Sequence, residues 1–218
     1  MSCSICGIRK EKRFCPAVLG RICPQCCGEQ REITLDCPSE CVYLQQAREH
    51  EKPRSASELV PAELFLNTEI NDQFLYRYEH LLMGLSYALA KTARADRGIN
   101  DRDLISTLTA MAKSYGTLVN SGLHYETPIA GVGQQAIAGE VQNMLKEYRE
   151  AEQKQLGYIR LRDSEVLKAI VFLVRMAHDR TSGRPKSRAF IDFLFAQFPA
   201  NKAAIDVPDE VGSRIIMP

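Results

Sequence analysis

All eight cysteines of this chain lie between Cys3 and Cys41, and none follows in the 218-residue sequence. They read as C-x2-C (Cys3, Cys6), then Cys15, then C-x2-C-C (Cys23, Cys26, Cys27), then C-x3-C (Cys37, Cys41). A CxxC turn lets two thiolates face one ion, and two such pairs complete a closed four-thiolate zinc site. Eight thiolates suffice for two Zn2+ ions, so the pattern predicts a small two-zinc module at the N-terminus. An iron–sulfur cluster also takes four thiolates, but its spacings are usually tighter or end in Cys-Pro. A disulfide scaffold needs an oxidising compartment and normally a signal peptide. The start, Met1-Ser2-Cys3-Ser4, offers neither a basic nor an apolar region of that kind. Reduced, metal-bound cysteines therefore predict a cytoplasmic protein.

The spacing Cys15-x7-Cys23-x2-Cys26, preceded by Phe14 and the Cys3–Cys6 pair, resembles the B-box zinc finger of tripartite-motif proteins. B-boxes, like RING domains, bind two zincs in a cross-brace, in which alternate ligand pairs share an ion. The resemblance covers about 40 residues. It implies one site from Cys3, Cys6, Cys23 and Cys26 and a second from Cys15, Cys27, Cys37 and Cys41. Two departures stand out. Cys37 and Cys41 occupy places where histidines are usual, and Pro16, Ala17 and Val18 stand where a ligand usually follows the third position. Cys27 could fill that gap, and an exchange of Cys26 and Cys27 between the sites stays open.

The rest of the chain predicts helices, so the fold class is mainly α: a two-zinc module over 1–50, a linker over 51–61, a helical bundle over 62–200 and a tail over 201–218. Pro53, Pro61 and small polar residues mark the linker. Asp36 and Cys37-Pro38 open a helix over 38–50 that holds Cys41. Phe74, Tyr78, Leu81, Leu85 and Leu89 form an apolar stripe at helical spacing, predicting one helix over about 69–95. Asn100 caps the next, and Gly122 stops it; the short connection predicts that these two helices pair antiparallel. A third helix spans 134–155. The run from Val166 to Ala177 is apolar around most of its circumference, which belongs at the centre of a bundle. Ser187 is expected to cap a last helix that ends before Pro199.

Composition sets bounds on function. The formal charge is +1, and eight thiolates with two Zn2+ would bring it to about −3, which excludes a globally basic nucleic-acid surface. No apolar stretch is long enough to span a membrane. His50, His80, His124 and His178 are isolated, no HExxH or GxSxG occurs, and every cysteine has a role as a zinc ligand. The reading is a non-enzymatic protein–protein interaction module: an adaptor, scaffold or regulator. B-boxes mediate assembly and partner binding, which by resemblance points the same way. Two alternatives remain. The segment from His178 to Arg188 is basic, and Arg175, Arg180, Arg184, Lys186 and Arg188 could surround an anion at the N-terminus of the last helix; this would suit a nucleic-acid-associated regulator, a phosphorylated ligand or an acidic protein partner. The same arginines could instead bond helix C-terminal carbonyls. The Cys26–Cys27 doublet could also serve a redox or metal sensor.

Overall fold

A computed structural model describes residues 1–50 and 68–200. The predicted linker 51–61, the first residues of the predicted bundle and the tail 201–218 lie outside the described residues. The described chain is mainly helical, with one small hairpin. The cysteine-rich segment contains strands β1 (Arg13–Cys15) and β2 (Gly20–Ile22) and helices α1 (Pro24–Gln30) and α2 (Val42–His50). The helical body contains α3 (Asp72–Arg77), α4 (Glu79–Ala95), α5 (Asp101–Ser121), α6 (Val132–Leu156), α7 (Asp163–Arg180) and α8 (Ala189–Gln197). None of the described helices is long and apolar enough to cross a membrane.

The hairpin is antiparallel, with Phe14 opposite Arg21 and Cys15 opposite Gly20. Its two faces follow the period-2 rule of strands: Cys15 and Ile22 turn inward, Phe14 and Arg21 outward. The apolar residues form two separate clusters. One gathers five of the cysteines with Ile22 and Leu35; the other is the core of the helical body. Small modules lack the volume for a large apolar core, and buried cysteines make up most of the cluster here.

α7 is the centre of the body, as its apolar circumference predicts. Val166, Ala169, Ile170, Val171, Leu173, Val174 and Ala177 are all fully buried. It packs most extensively on α5, while α4 packs on α6 and α8. The expected antiparallel pairing of α4 with α5 is not a main contact. The short connection instead delivers α5 to α7, because the most apolar surface available to the stripe Leu104, Leu108 and Met111 is that of α7. Gly84 lets α4 and α6 approach closely, since a Cβ there would lie 2.9 Å from Met144 Sδ.

Two boundaries differ from the sequence expectation. The helix expected over 69–95 breaks at Tyr78 (φ −112°, ψ 24°) into α3 and α4. The break lets both Phe74 and Tyr78 bury, with ring centroids 5.1 Å apart. α2 begins at Val42, so Cys41 precedes it rather than sitting inside it. The Asn100 cap forms with Asp103 as a reciprocal capping box, and Gly122 ends α5 in the left-handed region at φ 70°.

Candidate metal centre and its docking on the helical body

Cys3, Cys6, Cys23 and Cys26 converge. Their sulfurs all lie within 4.8 Å of one another, the one such group of potential metal ligands among the described residues. A tetrahedral Zn2+ with Zn–S bonds of about 2.3 Å separates its sulfurs by about 3.8 Å, so this set fits the ion after small adjustment. Two local structures build it. The first is the tight turn Cys3–Gly7, in which Gly7 adopts φ 67° and donates its N–H to Cys3 O at 2.8 Å. The second is the corner from β2 into α1, where Cys23 is the N-cap and Pro24 opens the helix. Ser4 binds the two together, since its N–H and hydroxyl both donate to Arg21 O, at 3.0 and 2.9 Å.

Backbone amides aim at the sulfurs. Cys23 N–H donates to Cys3 Sγ at 3.2 Å, and Cys26 N–H to Cys23 Sγ at 3.4 Å. The Arg9 guanidinium lies 3.8 Å from both Cys23 and Cys26 Sγ. Burial pushes the Cys3 thiol up, but N–H groups of Cys6, Cys23 and Ile5 outweigh it and bring it down to about 6. Cys23 is lowered chiefly by the Cys26 N–H, against burial. Cys26 is pushed up to about 12 by its bond with Cys23 and by burial. A cation bound by these sulfurs takes the place of their protons. The converging set skips Cys15, which lies between its two CxxC pairs in sequence.

The second predicted set, Cys15, Cys27, Cys37 and Cys41, is not drawn together to the same spacing. Cys15 and Cys27 are buried in the module's apolar cluster, with Cys37 and Tyr43 packed against it. Burial raises the Cys37 thiol, the Glu32 N–H bonded to it lowers it, and nearby Cys41 and Cys15 raise it further. Cys27 Sγ accepts from Arg13 at 3.7 Å and from Arg31 at 3.8 Å. The Arg13 guanidinium also sits 4.5 Å from the centroid of the Tyr43 ring.

Glu32 joins the module to the helical body. Its side chain is nearly fully buried and its backbone takes φ 51°, a strained value for a residue with a side chain. Its carboxylate accepts from Arg48 at 2.9 Å and from the Ser182 hydroxyl at 2.8 Å. Arg48 also donates to Asp192 of α8 at 2.6 Å, and Ser39 donates to the same carboxylate at 2.5 Å. A buried carboxylate with two partners is stable where an unpaired one is costly.

The basic segment meets this junction. Arg184 donates to Gly28 O at 3.1 Å and Arg31 O at 2.7 Å, carbonyls at the end of α1. Lys186 donates its N–H to Glu32 O at 2.8 Å and its ammonium to Thr34 O at 3.0 Å, and pairs with Asp36 at 3.1 Å. Arg188 turns the other way, to the carbonyls of Ala93, Arg97 and Ile99 near the end of α4. Arg180 stacks over Phe193 with its guanidinium carbon 3.6 Å from the ring centroid, and Arg175 donates to Thr68 O at 3.1 Å. The five cations therefore point to separate partners. Arg184 and Arg188 bond carbonyls at helix C-terminal ends, the alternative the sequence allows.

The N-terminus of α8 is covered by a carboxyl group of the protein's own. Asp101, fully buried, accepts from Phe190 N–H at 3.2 Å, Ile191 N–H at 3.1 Å and the Ser187 hydroxyl at 2.8 Å. The N-cap residue is Arg188, without a side-chain cap bond. The expectation that Ser187 caps the helix is met in part: its hydroxyl accepts from Ala189 N–H at 3.4 Å, while the N–H groups of Phe190 and Ile191 go to Asp101 of α5. Sequence reasoning missed Glu32, Arg48, Asp101, Ser182 and Asp192. Asp101 reads locally as an ordinary acidic residue in a first helical turn, and Glu32 as one member of a mixed charge run. Comparison with protein-family models, curated proteins and solved structures finds no match.

Proposed function

We propose that this chain is a non-enzymatic zinc protein that acts through protein–protein contacts, as an adaptor, scaffold or regulator. The observation that carries the reading is the closed, largely buried set Cys3, Cys6, Cys23 and Cys26. Four thiolates fill the coordination of Zn2+ and leave no position for water or substrate, so such a site organises structure instead of activating a nucleophile. The skipping of Cys15 agrees with a cross-brace of the B-box or RING type, and Cys15, Cys27, Cys37 and Cys41 supply the second Zn2+. Thiolates kept reduced for metal suit a cytoplasmic setting.

A nucleic-acid-associated role would draw on Arg175, Arg180, Arg184, Lys186 and Arg188. Those side chains are directed to carbonyls, an aromatic ring and a carboxylate within the protein, so the adaptor reading stands first. The redox-sensor alternative has only the adjacency of Cys26 and Cys27 behind it.

Two measurements test the proposal. Native mass spectrometry is expected to find two zincs in the full chain and one in Cys41→Ser; two zincs retained at full affinity in the variant would show that the second set is misassigned. Affinity capture from host lysate, with and without nuclease, is expected to return a defined protein partner that survives nuclease. Partners lost on nuclease treatment, with binding that falls steeply as salt rises, would move the function to nucleic acid.

A further inference from the structure

We propose that the apolar cleft bounded by α3, α4, α7 and α8 is the docking site of the chain's own C-terminal segment, residues 201–218. Nothing in this docking depends on the metal centre.

Leu82 and Met83 of α4, Phe172 and Met176 of α7, and Phe193 and Phe198 at the end of the body line a cleft of about 470 Å³. Met83 is 50% exposed, and Tyr76 of α3, which also lines the cleft, is 85% exposed. Single apolar side chains on a surface are ordinary, but a contiguous set marks a contact surface. The cleft adjoins a second stretch that shares Leu75, Phe172 and Met176 and is lined further along by Arg175, Asp179 and Arg180 of α7.

The exit of the chain names the occupant. α8 ends at Gln197, and both Gln197 and Phe198 line the cleft. Phe198 is fixed there: its ring meets Tyr87 edge-on with centroids 5.7 Å apart, and its carbonyl accepts from Arg94. The residues that follow therefore set out from the cleft itself. Their sequence suits it. Val207, Val211 and Ile215 recur at four-residue steps, the pattern of a segment with one apolar side, and Asp206, Asp209 and Glu210 stand among them. Those carboxylates complement the adjoining stretch, where Arg175 and Arg180 outnumber Asp179. A tethered segment meets its site at an effective concentration of about 1 mM, so an intrinsic dissociation constant of about 0.1 mM fills the cleft about ten parts to one. An outside protein or a second copy has to displace the segment before it can use this surface.

The test is hydroxyl-radical footprinting of the full chain, read at Tyr76, Met83 and Met176 and compared with the variant Val211→Asp, Ile215→Asp. Labelling at these three residues is expected to rise several-fold in the variant, towards the limit of about 10-fold that the filling ratio sets. Met111, buried in the core of the body, is expected to stay protected in both chains, which shows that the body is intact. Equal labelling of the three cleft residues in the two chains overturns the proposal. Wild-type protection that rises with protein concentration also overturns it, because the occupant is then a second copy. A synthetic peptide of residues 203–218, added at about 1 mM to match the tethered segment, is expected to restore protection to the variant, and its failure to do so counts against the docking. Met83→Glu checks the contact from the side of the cleft. It is expected to speed tryptic cleavage after Arg214 several-fold, and a cleavage rate equal to that of the wild type overturns the proposal.

Discussion

At the residue scale, Asp101 does the work that a serine or threonine usually does at a helix start. It sits in the first turn of α5 and caps α8 from outside that helix, accepting two backbone N–H groups and one hydroxyl. Asp101→Ala leaves these donors buried without an acceptor, so a loss of about 2–4 kcal/mol is expected in urea denaturation. The pH dependence has a definite sign. Burial raises the Asp101 carboxyl above the usual carboxylate range, although its hydrogen bonds oppose this. A group whose folded pKa is raised binds its proton more tightly in the folded state. Its contribution is then complete below the unfolded value of about 4 and is lost as pH rises through the folded value. The stability difference between wild type and Asp101→Asn should therefore shrink as pH increases from about 4. A growing difference over that range would contradict the direction of the shift.

At the element scale, α7 organises the helical body. A helix with apolar residues around most of its circumference has no face that water can accept, and burying it forces other helices to surround it. α5 supplies the longest contact, and α4 and α8 close other sides. Ile170 is fully buried within this arrangement. Ile170→Ala removes buried methyl groups and leaves a cavity, with an expected cost of about 2–5 kcal/mol by chemical denaturation. The exposed later half of α6 should be far more tolerant of substitution. The split of α3 from α4 illustrates how tertiary packing overrides a continuous helical stripe. Phe74 and Tyr78 follow the correct periodicity for one helix, yet a local change of backbone direction at Tyr78 lets both rings reach the core.

At the scale of the whole molecule, two apolar clusters meet through a polar junction. Ser182 links Glu32 of the module to Ser187, which donates to Asp101 of the body, while Arg48 links Glu32 to α8. This junction is made of hydrogen bonds and ion pairs, and the body has its own core. Metal removal should consequently be a local event. Of the described helices, only α1 and α2, with 7 and 9 residues, belong to the cysteine-rich segment. Addition of a strong zinc chelator is expected to leave most of the far-UV helical signal in place while hydrogen exchange rises through residues 1–41. Cooperative loss of the whole helical signal would mean that the body requires the module in order to fold.

Features that depend on neighbouring residues alone were legible in the chain. Cysteine spacing marks the converging set Cys3, Cys6, Cys23 and Cys26, since a CxxC turn brings its two sulfurs together wherever it folds, and apolar periodicity marks the buried helix α7. Asn100 and Gly122 act on their own neighbouring backbone, so they too were legible. The tertiary structure decided which helices touch, where an apolar stripe bends, and what the basic segment binds. Arg184 and Lys186 carry the same charge whether they face a phosphate or a carbonyl, and nothing adjacent to them in sequence distinguishes the two. Their partners at Gly28, Arg31, Glu32, Thr34 and Asp36 come from the far end of the chain. Glu32 and Asp101 were hidden for the same reason: a charge becomes a buried link only when folding supplies, from distant segments, the donors that replace water.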